Sequence, residues 1–336
     1  MLRLLTPVRL ALAGLLVAAA AVGFWAIPTD SYIFLPHRAT AVAPLVDVEG
    51  GDDPEDGGGI YFVDVLVRKA TLLERVWPGI REGATVVPAE AVRPPGVNDR
   101  ERRREELAEM QRSQQVAAAV ALRELGYDVV ARAIGARVEF VNADAPAAKE
   151  LRSGDVIVAV EGRRVTAPGG LRRAVRAAGI GDVLRVTYRR GDERKTANVR
   201  TVRGDEGTPI IGVIVSQAAD IKLPLDVEID AGGVGGPSAG LAFALDLMEE
   251  LGRDIDRGQR IAVTGSLELD GTVGAIGGVK QKTIGVEREG IDVFLVPAGD
   301  NAREAREHAD DVRIVAVESF QQALRALATL PPDAQD

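Results

Sequence analysis

A serine behind a glycine and a proline, Gly236-Pro237-Ser238-Ala239-Gly240, opens an apolar stretch, and two lysines, Lys280 and Lys282, follow a glycine-rich run further along. A serine hydroxyl is a poor nucleophile at neutral pH and needs a neighbouring base, commonly a histidine. The chain has two histidines: His37, beside an apolar N-terminal run, and His308, in the charged stretch AREAREHADD. Neither has the sequence setting of a triad. Lysine can replace histidine if desolvation lowers its pKa, so the base is expected to emerge from apolar, glycine-rich surroundings. The stretch VGAIGGVKQKTIGV provides them for both Lys280 and Lys282, which a helix would place about 200° apart. Only six of the 41 basic residues are lysines, which makes the pair conspicuous. Pro237 at a helix start would leave backbone N–H groups beside Ser238 for an oxyanion, although Gly-Pro-Ser is also ordinary helix-start chemistry.

Composition removes other chemistries. With no cysteine, zinc fingers, thiol catalysis, iron–sulfur clusters and disulfides are excluded, and two histidines leave little for a zinc enzyme. A net charge of −9 lacks the basic footprint of a general nucleic-acid binder, so nucleic acid is not expected as a partner. No Gly-x-x-x-x-Gly-Lys-Ser/Thr motif occurs, so no ATP and no other cofactor is expected, and no metal.

The elements that must position these residues follow from period and punctuation. From Leu10 to Ile27 eighteen residues carry no charge, with Arg3 and Arg9 before them and Asp30 after. As a helix this run is about 27 Å long, enough to cross a bilayer, and the arginines place the rest of the chain outside the cytoplasm. A cleaved signal peptide is the alternative. Ile60 to Val67 reads as a strand and Asp99 to Leu125 as a long helix, while Lys69 to Asp99 gives no clear pattern. Short strands and turns with one helix, Leu171 to Ala178, fill Val129 to Val202. Beyond, strands at Ile210 to Val215, Leu225 to Asp230, Ile261 to Leu267, Val293 to Pro297 and Arg313 to Val317 alternate with helices at Ser238 to Leu251, Lys280 to Arg288, Ala302 to Ala309 and Ser319 to Leu330. That alternation implies an α/β domain.

Two stretches resemble known families. VEFVNADAPAAKELRSGDVIVAVEGRRVTAPGGLRRAV is similar to PDZ domains of bacterial protease-associated type, which bind extended peptides at a sheet edge. The glycine-containing carboxylate-binding loop of such domains is not apparent before the expected groove strand. GGVGGPSAGLAFALDLM and AVTGSLELDGTVGAIGGVKQKTIGVEREGIDVFLVP resemble the serine and lysine blocks of Lon-type (S16) peptidases. With an apolar N-terminal segment and no ATPase, the whole resembles the YlbL-like family of membrane-anchored bacterial proteins. The resemblance implies Ser238 as nucleophile, Lys282 rather than Lys280 as base, Thr264 against the lysine, and Gly236, Pro237 and Ala239 framing the serine. Two positions depart from it: Gly235 stands where an acid commonly precedes Gly-Pro-Ser, and Ser266 where a glutamate often follows Thr-Gly.

The expected organisation is therefore an anchor or signal over residues 1–28, an N-terminal part of the peptidase domain with a connecting helix over 29–126, a PDZ-like domain over 127–204 and the S16 domain over 205–331. The fold class is α/β (α+β), with the PDZ-like domain inserted in the peptidase domain or preceding it. The expected function is a membrane-anchored, extracytoplasmic, ATP-independent serine endopeptidase acting on peptide or protein substrates. A silent, membrane-tethered PDZ adaptor is the alternative, and a homo-oligomer is left open.

Overall fold

The computed structural model describes residues 27–51, 58–92, 99–142, 144–204 and 207–331, with residues 12, 14–15 and 23–25. Most of the expected membrane segment, Leu10 to Ile27, lies outside the described residues. Among those described, no helix is long and apolar enough to cross a membrane.

A six-stranded sheet forms the frame, in the order Arg313–Val317, Val293–Pro297, Arg260–Val263, Gly59–Thr71, Pro28–Ala41, Thr85–Pro88. The first four strands are parallel, and the last two join antiparallel. Half of these strands precede residue 99 and half follow residue 259, so the β-rich region between them interrupts a single sheet. All five residues of Val293–Pro297 are buried, as a parallel strand covered on both faces requires.

The period of two sorts the strand side chains between two cores. Ile261, Val263, Val293 and Leu295 face one core with Leu241, Phe243, Leu245 and Met248 of helix Gly240–Glu250, while Ala262, Phe294 and Val296 face the other with Val279 and Val286 of helix Val279–Arg288. The first is called below the serine helix and the second the lysine helix. The serine helix is buried on nearly every side, because the long helix Asp99–Glu124 covers it opposite the sheet through Val116 to Leu122. It starts later than the sequence suggests: Pro237–Ala239 form a 3-10 turn and the α-helix begins at Gly240.

The inserted region is an antiparallel sheet in the order Val213–Lys222, Val130–Val141, Val156–Val160, Val183–Arg190, Glu193–Arg200, with helix Pro168–Arg176 packed on it through Leu171 and Val175. Val213–Lys222 pairs with Val130–Val141 along its whole length. Val213 and Val215 of this ribbon pack in the small domain's core, and Ala219 and Ile221 pack against the core between the six-stranded sheet and the serine helix. The strand expected at Ile210 to Val215 is split: Ile210 ends the short strand Pro209–Ile210, and Val213 opens the longer strand that packs against both cores.

The stretch Lys69 to Asp99, unread in sequence and described up to residue 92, opens on a capping box. The Thr71 hydroxyl accepts from the Glu74 N–H, and the Glu74 carboxylate accepts from the Thr71 N–H, starting helix Leu72–Val76. The strand Pro28–Ala41, which also had no sequence signal, closes the sheet between Gly59–Thr71 and Thr85–Pro88.

Candidate active site

The nucleophile turn is held from two sides. Gly236 caps it with φ +88°, a conformation that side chains disfavour, and its N–H donates to the Glu106 carbonyl of the long helix at 2.9 Å. The hydroxyl of Ser113, two turns on, donates to the Pro237 carbonyl at 3.2 Å. Across the turn, Gly265 N–H donates to the Ser238 carbonyl at 2.8 Å and the Thr264 hydroxyl to the same oxygen at 3.1 Å. Fixing the Ser238 backbone by two donors leaves its side chain to the site.

The lysine helix brings Lys282 to that side chain. Its Nζ donates to Ser238 Oγ at 2.8 Å and to Thr264 Oγ1 at 2.9 Å. Lys282 is 3% exposed, and burial pushes its pKa from 10.5 down to about 7, because the ammonium form loses hydration that neutral amine hardly needs. The Asp64 carboxylate opposes this by favouring the charged form. The neutral fraction that this shift provides near pH 7 can accept a proton from the serine hydroxyl, which lysine at its ordinary pKa cannot.

Ser238, Lys282 and Thr264 are brought together, Gly236, Pro237 and Ala239 form the turn beneath, and Lys280 sits on another face of its helix. His308 ends helix Asp300–Glu307, and His37 pairs with Asp64 at 2.6 Å. Among the described contacts neither histidine touches Ser238.

Of the two departures from the family pattern, the one at Gly235 has a local reason. A Cβ on Gly235 would lie 2.7 Å from Glu106 Cβ and 3.3 Å from its carbonyl carbon, so the long helix leaves no room for an acid there. Ser266 sits in the two-residue ladder Ser266–Leu267 with Val273–Gly274 that follows Thr264. Sequence reading missed four supports: Ser113, Glu106, Asp64 and Asn301. The Asn301 amide pins the glycine run before the lysine helix, accepting from Ile276 N–H at 2.8 Å and donating to its carbonyl at 3.0 Å. Each lies far from the motif in sequence, and none has a spacing that signals its role.

Buried carboxylates tie the small domain to the surroundings of the site: Glu139 pairs with Arg112 of the long helix at 2.8 Å, and Glu268 makes a second link. Glu268, which follows the ladder strand Ser266–Leu267, accepts from Arg172 at 2.8 Å and from Gly169 N–H at 3.1 Å, both in helix Pro168–Arg176. Burial raises its pKa and Arg172 pulls it back. Val213–Lys222 is the edge strand beside this helix, and the turn that leads into it contains Gly212 at φ +77°.

Comparison with known proteins matches two domain families. Residues 122–201 match the PDZ domain family, and residues 217–329 match the Lon protease (S16) C-terminal proteolytic domain. The chain carries both a PDZ domain and an S16 proteolytic domain. Lon protease 1 of Sorangium cellulosum is 34% identical over 137 residues, covering 36% of this chain and 17% of that protein. Lon protease of Mesomycoplasma hyopneumoniae is 29% identical over 145 residues, covering 40% of this chain and likewise 17% of its own length. The chain therefore spans under a fifth of those relatives. The solved PDZ domain of the SdrC-like protein from Listeria monocytogenes is 28% identical over 24% of this chain and 87% of its own, with a TM-score of 0.24. The S16 match begins at residue 217, so the strands Pro28–Ala41, Gly59–Thr71 and Thr85–Pro88 complete its sheet from outside the matched region.

Proposed function

We propose that the chain is a membrane-anchored, extracytoplasmic, ATP-independent serine endopeptidase with a Ser238/Lys282 dyad, its PDZ domain binding or regulating substrate. The observation that carries this reading is the 2.8 Å contact between a buried, depressed-pKa lysine and the hydroxyl of a serine at a helix start. Neutral Lys282 removes the Ser238 proton as Oγ attacks a peptide carbonyl, then returns it to the leaving amine. Thr264 accepts a hydrogen bond from Nζ and so aims the amine. The backbone N–H groups of Ser238 and Ala239, at the positive end of the serine helix, are the donors that would stabilise the developing oxyanion. Water then hydrolyses the acyl-enzyme. With no nucleotide-driven unfolding, the substrates are unfolded, flexible or already nicked chains. An intact dyad contact argues against the silent-adaptor reading.

The proposed topology rests on Arg3, Arg9 and the apolar run from Leu10 to Ile27. The activity test is incubation of the purified chain with casein and a peptide library beside Ser238→Ala. Cleavage by the first alone supports the proposal, and cleavage by both, or by neither, defeats it.

A further inference from the structure

Around residue 77 the surface is unlike that of a soluble domain. Six consecutive residues, Arg75 to Ile80, are exposed, among them Val76 at 72%, Trp77 at 66% and Ile80 at 41%. Single exposed apolar residues are ordinary, but adjacent large ones, one of them an indole, mark an interaction surface. The segment is tied to the point where the apolar N-terminal run ends. Leu72 N–H donates to the Ile27 carbonyl at 3.0 Å, Thr29 Oγ1 donates to the Ala70 carbonyl at 2.8 Å, and the Arg81 guanidinium lies 5.1 Å from the centre of the Trp25 ring. Phe24, Trp25 and Ile27 are exposed beside it, so both tryptophans of the chain, Trp25 and Trp77, belong to this region.

Its charge differs from that of the whole molecule. In a chain of net charge −9, residues 66–81 hold four cations, Arg68, Lys69, Arg75 and Arg81, and one acid, Glu74. Glu74 is turned inward, with an ion pair to Arg81 at 3.4 Å and bonds from Arg68 at 2.6 and 2.9 Å; Arg68, aided by Thr71, holds its pKa down at about 2. Lys69 and Arg75 are exposed next to the apolar tip. An indole flanked by aliphatic side chains and cations suits the boundary between acyl chains and anionic headgroups.

We propose that the segment from Leu72 to Arg81, with Trp77 at its tip, is a second membrane contact that lies on an anionic bilayer surface beside the N-terminal anchor. This goes beyond the anchor and rests on it, since the anchor is what brings the segment to lipid. The strand Pro28–Ala41 then leads away from the membrane, rising about 26 Å from Thr29 to His37. The carbonyl of His37 abuts Gly285 of the lysine helix, one turn beyond Lys282. Two contacts rather than one fix the orientation of the catalytic domain as well as its tether.

The two tryptophans make the test self-controlled. The full chain is reconstituted in vesicles of phosphatidylcholine and phosphatidylglycerol, with phosphatidylcholine brominated either near the headgroup or near the chain end. Trp25→Phe leaves Trp77 as the sole reporter, and Trp77→Phe leaves Trp25. The expected result is blue-shifted Trp77 emission, quenched most by lipid brominated near the headgroup. Val76→Ser with Ile80→Ser should abolish that quenching. Lys69→Gln and Arg75→Gln should each lower the docked-to-free ratio about fivefold in the anionic vesicles and leave pure phosphatidylcholine vesicles unaffected. Quenching of Trp25 without Trp77 would overturn the docking and leave the anchor standing, whereas no quenching of either would overturn both. Trp77 shielded from aqueous quencher but untouched by lipid, in proportion to protein concentration, would show a second copy in its place and also overturn the proposal.

Discussion

Replacing Lys282 by methionine should make the protein more stable at low pH, and the size of the gain follows from the burial of one ammonium. In the unfolded chain Lys282 titrates at its ordinary 10.5, and in the folded protein at about 7. Between those values the unfolded state binds more protons, so this residue makes wild-type stability rise with pH until the unfolded lysine also loses its proton. The full difference of about 3.5 units corresponds to about 5 kcal/mol, reached at and below pH 6, while about 1.4 kcal/mol remains at pH 9.5. Methionine has similar length and no proton. Lys282→Met also deletes hydrogen bonds to Ser238 and Thr264, but that cost is nearly independent of pH and cancels on comparing two pH values. Urea unfolding of both proteins, followed by circular dichroism, should therefore show the variant gaining about 3 kcal/mol on the wild type as pH falls from 9.5 to 6. A stability difference that stays constant with pH would mean that the lysine enters the fold with an unshifted pKa, and the base assignment would fail with it.

Other substitutions probe the surrounding contacts. Ser238→Ala and Lys282→Ala should each abolish peptide hydrolysis with circular dichroism unchanged, and the double variant should be little worse than either, since paired groups act as a unit. Lys280→Ala should retain much of the activity, and Thr264→Val should lower kcat, both read by fluorogenic peptide hydrolysis. Gly235→Asp, which restores the common family acid, should destabilise the fold by about 1–3 kcal/mol through collision with Glu106, read by thermal unfolding. Arg172→Gln removes the cation beside buried Glu268, so its thermal midpoint should fall below that of wild type by more at pH 8 than at pH 5, where the carboxyl is more protonated.

Ser238 and the lysine pair were legible as local chemistry, Gly-Pro-Ser at a helix start and lysines amid glycines, while Thr264 came from family likeness alone; the structure brings Ser238, Lys282 and Thr264 together. The choice between Lys280 and Lys282 came from family likeness, and helix geometry makes only one of them reach the serine. Val293–Pro297 and Arg313–Val317 were legible as short apolar runs closed by turn residues, and the structure keeps their bounds, whereas the strand expected at Ile261 to Leu267 ends at Val263. Pro28–Ala41 was not, because its burial alternates irregularly around register shifts and it follows an apolar run that dominates the local pattern. The Thr71-Leu72-Leu73-Glu74 capping box was present in the sequence and passed over. Glu106, Ser113 and Asn301 support the site across long sequence separations, and only the fold brings them to it. The ribbon Val213–Lys222 with Val130–Val141 joins two cores, a role that no local period could express.

The account rests on Ser238 being a nucleophile activated by Lys282, and labelling by a serine-directed fluorophosphonate tests that most directly. Intact-mass and peptide mapping should find one adduct, on Ser238, forming at a rate that rises with pH around a midpoint of about 7 and vanishing in Lys282→Met. An absence of adduct, or labelling of Ser238 at the same rate in Lys282→Met, would contradict it.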